Sequence, residues 1–151
     1  MICVENARHP CRFAASSFVY PVKGMSHMLY AILCYHNEDV VTSWSKEEDD
    51  AVLAKRSKVT NELAARGKMG PAIRLMPTSA ATTIRGDMVL DGPFAETKEQ
   101  LLGFYILEGD NLDEVIDAAK RIKEGENCTF EIRPISIFKQ GVVEAELEAT
   151  S

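Results

Sequence analysis

The feature that most constrains this chain is a pattern that occurs twice: an apolar, strand-like run of residues followed by a helix with a polar cap. The first run spans residues 28–36, and the helix after it begins with a Ser-x-x-Glu capping box at Ser45. The second run spans residues 100–108, and Asn111 begins the next helix with the same capping logic. Two such units predict a single α+β domain.

The two predicted helices end at glycines. The first is expected over residues 46–66, before Gly67, with Lys55, Arg56 and Lys58 on its solvent side. The second begins at residue 112 and ends at Gly125. In the second helix, apolar residues recur at i, i+3, i+4, i+7 and i+10, which is typical of a helix with one face packed on a sheet. Residues 37–39, between the first strand and its helix, are expected to form a loop.

Three further strand-like stretches complete the pattern. Residues 68–75 are expected to form a strand, whose early part Pro71 confines to a sheet edge, a bulge or the strand start. Residues 82–85 and 88–91 are expected to form a hairpin around Gly86-Asp87, since glycine suits a tight two-residue turn. Residues 128–138 are expected to form the last strand. The order of elements predicts a ferredoxin-like fold, a split βαβ pattern with a central hairpin insertion.

This fold has one layer of helices, which covers one face of the sheet. The opposite face must be covered as well, and pairing with a second copy is an economical way to cover it. We therefore predict a homodimer.

The domain is expected to span residues 28–138. Residues 1–27 form an N-terminal extension without sustained periodicity, and translation starting near Met25 or Met28 would leave most of it out of the natural domain. Residues 139–151 are expected to form an acidic, mobile tail.

Composition excludes several classes of function. The net charge of −6 and the isoelectric point near 5.1 argue against a nucleic-acid partner, which requires a concentrated basic surface. No apolar run approaches the roughly 20 residues that span a bilayer, so no membrane partner is expected. The four cysteines form no CxxC pair, and reduced thiols in a cytoplasmic protein are the simplest interpretation. The sequence also has no phosphate loop or dinucleotide motif, so we expect neither a metal nor another cofactor.

The most distinctive segment spans residues 91–99 and admits two interpretations. In the structural one, Gly92-Pro93 fixes a sharp turn, Phe94 anchors it in the core, and Asp91 accepts backbone hydrogen bonds. In the functional one, Asp91 is a general acid or base in a cleft beside the sheet, and Lys98 or Arg74 holds an anionic substrate.

Two aromatic residues between the first strand and the first long helix, His36 and Trp44, are further candidates. His36 lies where it could reach a cleft, and an imidazole is suited to proton transfer near neutrality, although a histidine at a strand end is more often a loop residue or a satisfied edge residue. Trp44, just before the first helix, either packs at the start of that helix or lines a pocket.

The stretch from residue 91 to 122 reads DGPFAETKEQLLGFYILEGDNLDEVIDAAKRI. It resembles the signature region of the YCII-related family, in particular the branch with a DGPF motif, and looser similarity extends over residues 28–138. The resemblance implies a dimeric α+β barrel of ferredoxin-like protomers whose facing sheets border a cleft. It also implies catalysis by a histidine and an aspartate near the cleft, but the predicted helix over residues 46–66 contains no histidine.

Two hypotheses of function follow. In the first, the protein is an isomerase or lyase acting on a compact polar or aromatic molecule, with Asp91 and His36 as the proton-transfer groups. Substrate contacts would then come from Arg74, Lys98 and Phe94. In the second, the protein is a non-catalytic dimeric module that binds a ligand or takes part in regulation, as implied by the association of some family members with sigma-factor-type regulators.

Overall fold

The computed structural model describes residues 27–141. Its elements, in chain order, are β1 (Met28–His36), α1 (Glu38–Thr42), α2 (Lys46–Ala65), β2 (Met69–Arg74), β3 (Thr82–Arg85), β4 (Met88–Asp91), β5 (Gln100–Gly109), α3 (Leu112–Ile122) and β6 (Thr129–Pro134). A short 3₁₀ turn, Thr78–Ala80, precedes β3. This mixture of antiparallel sheets and helices confirms the predicted α+β class.

Four strands form the main sheet in the order β2-β5-β1-β6, and every neighbouring pair is antiparallel. The two central strands are the two apolar runs of the sequence. The chain passes from β1 to β2 through α2 and from β5 to β6 through α3. Each strand–helix unit therefore places one central strand and one edge strand in the sheet.

Both long helices pack on the same face of this sheet. The buried core on that side contains Tyr30 and Ile32 of β1 and Leu107 of β5, and the helices add Leu63, Val115, Ala118, Ala119 and Ile122. Burial alternates along β1, as expected when successive side chains point to opposite faces. The helices are capped as predicted, by Ser45 with Glu48 and by Asn111.

The opposite face of the sheet carries the alternate residues of the central strands and has neither long helix on it. By register it presents Leu29, Ala31 and Leu33 of β1 beside Glu108, Ile106 and Phe104 of β5. On β2, Ile73 pairs with Phe104 and is 41% exposed. We call this surface the open face of the sheet.

Within residues 27–141, strands β3 and β4 pair only with each other. Together they form what we call the β3–β4 ribbon. The predicted register is confirmed, with Arg85 opposite Met88 across the Gly86-Asp87 turn. Gly86 has a φ of 61°, a conformation that glycine adopts without the steric cost of a side chain.

The structure corrects two local predictions. Residues 37–39 are not a loop throughout, because Glu38 begins α1 and the Asn37 side chain caps it, accepting hydrogen bonds from the amides of Asp39 and Val40. Phe94 does not anchor its turn in the core of the protomer, since it is 76% exposed. The remaining differences are shifts of strand and helix ends, the largest at β6, which ends at Pro134 instead of residue 138.

Residues 1–26 and 142–151 lie outside the described part of the chain. The predicted extension and nearly all of the predicted tail therefore lie outside it too, as do Cys3 and Cys11. Within residues 27–141, no helix has the length and apolar character needed to cross a membrane.

Candidate functional site

A cleft of about 240 Å³ opens between α2 and the helix-covered face of the sheet. It lies at the end of β1 that carries His36, away from the filled core around Tyr30 and Ile32. Its walls combine aromatic rings, two arginines and two thiols.

The cleft exists because the sheet carries small residues beneath this part of α2. At the core end the sheet presents Tyr30, Ile32 and Leu107, whereas at the cleft end it presents the small residues Cys34, Gly103 and Ala72 beside Tyr105. Side chains of that size leave space under a helix that packs at a nearly fixed distance from the sheet. The sequence thus fills one end of this layer and leaves the other hollow.

Gly103 is also required for the pairing of β2 with β5. A Cβ atom at this position would lie 2.2 Å from the carbonyl oxygen of Ile73 on β2. Only glycine permits this approach of the two backbones.

Arg56 of α2 forms the inner wall of the cleft and is held by two partners. Its Nε donates to Glu126 Oε1 at 2.9 Å, its Nη2 donates to Glu126 Oε2 at 2.5 Å, and its Nη1 donates to the Tyr105 hydroxyl at 3.4 Å. Burial disfavours the charged guanidinium, but the hydrogen bonds that it donates to Glu126 and Tyr105 outweigh this and raise the pKa of Arg56. Arg56 is therefore a permanent cation whose donors are largely committed within the protein.

Cys34 and Cys128 are both free, buried thiols on the cleft wall. Burial raises the pKa of Cys34 to about 12, and the nearby Arg56 offsets this only in part. Burial likewise raises the pKa of Cys128. Because the thiolate is the nucleophile, both groups are inert thiols at neutral pH. The predicted burial is confirmed for these two cysteines.

His36 and Trp44 stand together on the cleft wall. Their ring centroids are 5.9 Å apart at an interplanar angle of 83°, an edge-to-face arrangement. His36 Nδ1 lies 3.2 Å from the Asn37 carbonyl oxygen, which can only accept. In the neutral ring we therefore assign the hydrogen to Nδ1, which makes Nε2 the acceptor.

Arg74 also lines the cleft, at the end of β2. Its Nη1 donates to Asp49 Oδ2 of α2 at 2.9 Å, and 53% of its side chain is exposed. Its Nε and Nη2 make no hydrogen bond to any residue within 27–141. Arg74 thus keeps donors for a ligand, in contrast to Arg56.

A wider depression of about 530 Å³ adjoins the cleft and shares His36 and Trp44 with it. Its other walls include the carboxylates Glu48, Glu99 and Glu126. An anion is repelled by these carboxylates and attracted by Arg74, so the smaller cleft is the better anion site. Among the residues that the structure describes, no three histidine, cysteine or carboxylate side chains are grouped so as to hold a metal ion.

Of the five residues predicted for the site, the structure brings two to the cleft. His36 and Arg74 line it, whereas Asp91, Phe94 and Lys98 are exposed outside its lining. Asp91 ends β4 at the foot of the β3–β4 ribbon. Phe94 and Lys98 follow it in the connection to β5.

Sequence reasoning missed Arg56 and Tyr105. Arg56 was expected on the solvent side of its helix, but its side chain is only 20% exposed and faces the sheet. The spacing contained the signal, since Arg56 lies four residues after Val52 and three before Val59, in the stripe that continues to Leu63.

A family model described as the YCII-related domain matches residues 28–139. A protein of Rhizobium meliloti (strain 1021), described as "Uncharacterized protein R00369", is 48% identical over 120 residues, covering 76% of this chain and 97% of that relative. These matches confirm the family that the sequence resembles, while the DGPF branch stays a prediction. The chain belongs to the YCII-related domain family.

Proposed function

We propose that this protein binds a compact aromatic carboxylate in the cleft between α2 and the sheet. The observation that carries the proposal is the position of Arg74, whose guanidinium stands on one wall with uncommitted donors. Planar guanidinium groups pair with carboxylates through two parallel hydrogen bonds. Arg74 is therefore the proposed anchor for the carboxylate.

The rest of the cleft favours an aromatic body for the ligand. Trp44, His36 and Tyr35 contribute rings, and Val52 and Leu53 of α2 add apolar surface. A volume of about 240 Å³ is at or below the small end of ligand pockets, which commonly hold 300 Å³ or more. A single substituted ring suits this space better than a nucleotide.

An isomerase- or lyase-type reaction remains the proposed chemistry. His36 is the proposed proton acceptor because it lines the cleft and its Nε2 is an acceptor in the neutral ring. Asp91 stays a predicted acid or base, and Lys98 and Phe94 stay predicted substrate contacts. These roles require the segment of residues 91–99 to reach a cleft in the assembled protein.

The proposed assembly is a homodimer of ferredoxin-like protomers forming an α+β barrel. The strand order β2-β5-β1-β6 with two crossover helices supports the ferredoxin-like assignment. The apolar residues on the open face, Leu33, Phe104 and Ile73 among them, support the covering of this face by a second copy.

The binding proposal is tested by fluorescence, because Trp44 is the single tryptophan of the chain and lines the cleft. We would titrate the protein with 4-hydroxybenzoate and, as the uncharged comparison, with 4-hydroxybenzamide. The expected result is a saturable change in Trp44 emission with the carboxylate and at least about tenfold weaker binding of the amide, since a charge-assisted pair contributes more than a neutral one.

Two arginine variants make this test specific. Arg74→Met should weaken 4-hydroxybenzoate binding by at least about tenfold. Arg133→Met is the matched control, because Arg133 is 65% exposed on β6 and pairs in register with Ala31 of the open face. Equal affinities of Arg74→Met and wild type would overturn the assignment of Arg74. An emission unaffected by either probe would contradict the ligand class and favour the regulatory-module hypothesis.

A further inference from the structure

Exposed apolar side chains are concentrated in one segment of the chain. Of the thirteen large hydrophobic residues that the structure records as exposed, eight fall within residues 73–94. They are Ile73, Leu75, Met76, Ile84, Met88, Val89, Leu90 and Phe94. Scattered single residues of this kind are ordinary, but a concentration in one segment marks an interaction surface.

The β3–β4 ribbon carries four of these residues, and both of its faces are apolar. Ile84 pairs with Val89 on one face, where the side chains are 75% and 69% exposed. Leu90 and Met88 lie on the other face, beside Thr83 and Arg85. A two-stranded ribbon without a packing partner is at best marginally stable in water, so this geometry calls for a cover.

The foot of the ribbon is nevertheless well fixed to the body of the protomer. Glu38 of α1 accepts hydrogen bonds from the amide and the hydroxyl of Thr78, both at 2.6 Å, just before β3. The Gly92 amide, just after β4, donates to the Ala81 carbonyl, just before β3, at 2.7 Å, and this bond closes the foot of the ribbon. The ribbon therefore projects from an anchored base.

We propose that the β3–β4 ribbon is a dimerisation arm that packs against the open face of the sheet in a second copy of this chain. That face is the other apolar surface left uncovered by the long helices. In a two-fold dimer each protomer supplies one arm and one open face. Complementarity between the arm of one protomer and the open face of the other is therefore sufficient for assembly.

The exposed apolar area is large enough for this assembly. At their exposed fractions, these eight residues of the ribbon, its flanking segments and β2 together present on the order of 1,000 Å² per protomer, compared with about 800 Å² per partner in a standard stable interface. The only charged side chains within β3, its turn and β4 are Arg85, Asp87 and Asp91. A hydrophobic face of a second copy is therefore a better match than a charged partner.

This inference rests on the proposed homodimer and adds the element that forms it. It also concerns Asp91, which pairs with Thr82 and shares the Ile84 and Val89 face of the ribbon. Packing of that face on a partner sheet places the Asp91 carboxylate at the edge of the interface instead of in its own protomer's cleft.

The test measures oligomeric state by sedimentation velocity, for the full chain, from low micromolar to tens of micromolar protein. Ile84→Glu and, separately, Val89→Glu should raise the dimer dissociation constant by about tenfold or more, because each buries a charge in the proposed interface. Leu112→Glu is the matched control: Leu112 is 46% exposed at the start of α3 and outside the arm. Circular dichroism establishes that each variant is folded.

The outcomes separate the arm from the dimer. The proposed arm is supported if the wild type and the Leu112→Glu control are dimeric while the ribbon variants dimerise more weakly. A wild type and folded ribbon variants that dimerise equally well would overturn the arm and leave the proposed dimer intact. A wild type that stays monomeric throughout would contradict both. Should both variants misfold, hydrogen exchange of the wild-type β3 and β4 amides decides, because the arm requires protection that increases with protein concentration.

Discussion

Arg56 of α2 and Glu126, in the loop before β6, form a paired contact through two hydrogen bonds of 2.9 and 2.5 Å. The two side chains are only 20% and 7% exposed. The guanidinium carbon also lies 5.9 Å from the centre of the Phe130 ring. This pair joins α2 to the far edge of the sheet and closes the inner wall of the cleft.

Loss of Arg56 is expected to destabilise the fold strongly. Arg56→Met leaves the Glu126 carboxylate buried without its cation and should lower the free energy of unfolding by about 3 kcal/mol. The measurement is urea denaturation with an unchanged m value. Arg121→Met is the control, because Arg121 pairs with Glu62 on an exposed surface and its loss should leave the midpoint nearly unchanged. Equal effects of the two variants would contradict the structural role of Arg56.

A methyl group at Gly103 should disrupt the sheet beneath the cleft. Gly103→Ala forces β2 and β5 apart, since the new Cβ would meet the Ile73 carbonyl oxygen at 2.2 Å. We expect a loss of at least about 2 kcal/mol in the free energy of unfolding, measured by urea denaturation. Gly141→Ala has no atom within 4 Å of its Cβ and should behave as wild type. A fully stable Gly103→Ala protein would show that this strand pairing is looser than described.

Alkaline pH should destabilise the protein partly through Cys34. Burial raises the pKa of Cys34 from 9.0 to about 12. Above pH 9 the thiol ionises readily in the unfolded chain but not in the folded one, so the unfolded state is favoured increasingly as the pH rises toward 12. Urea midpoints in reducing buffer should therefore decline across this window.

Cys34→Ser removes this ionisation at similar side-chain size. Its decline should be shallower than that of wild type, although not absent, because burial also raises the pKa of Tyr105 and of Cys128. Identical pH profiles for the two proteins would show that Cys34 is not the group responsible.

Asp91 is expected to matter for chemistry and not for binding in the cleft. Asp91→Asn should retain the affinity for 4-hydroxybenzoate, because Asp91 is outside the residues that line the cleft. With any substrate that the wild type converts by proton transfer, the turnover rate of the same variant should be about 100-fold lower. Undiminished turnover would remove Asp91 from the proposed mechanism.

Local signals in the sequence predicted most of the fold. The Ser45 and Asn111 caps, the apolar runs of β1 and β5 and the glycine turn at Gly86 all act over a few residues, and the structure confirms each of them. Such signals are readable because capping and turn geometry depend on neighbours in the chain.

The cleft depends on contacts between distant residues and was predicted only in part. His36 and Arg74 were found as polar residues in strand-like runs, but the partner of Arg56 is 70 positions away, at Glu126. Phe94 was misjudged because an aromatic ring was assumed to be covered within its own chain. Neither the pairing across such a separation nor the exposure of an arm follows from local periodicity.

The most direct test of the proposed binding site is a crystal structure of the protein soaked with 4-iodobenzoate, in which anomalous scattering locates the iodine. We expect one ordered ligand between α2 and the sheet, with its carboxylate bonded to Arg74 and its ring beside Trp44. A saturating soak that leaves this cleft empty, or that places the carboxylate away from Arg74, would contradict the account.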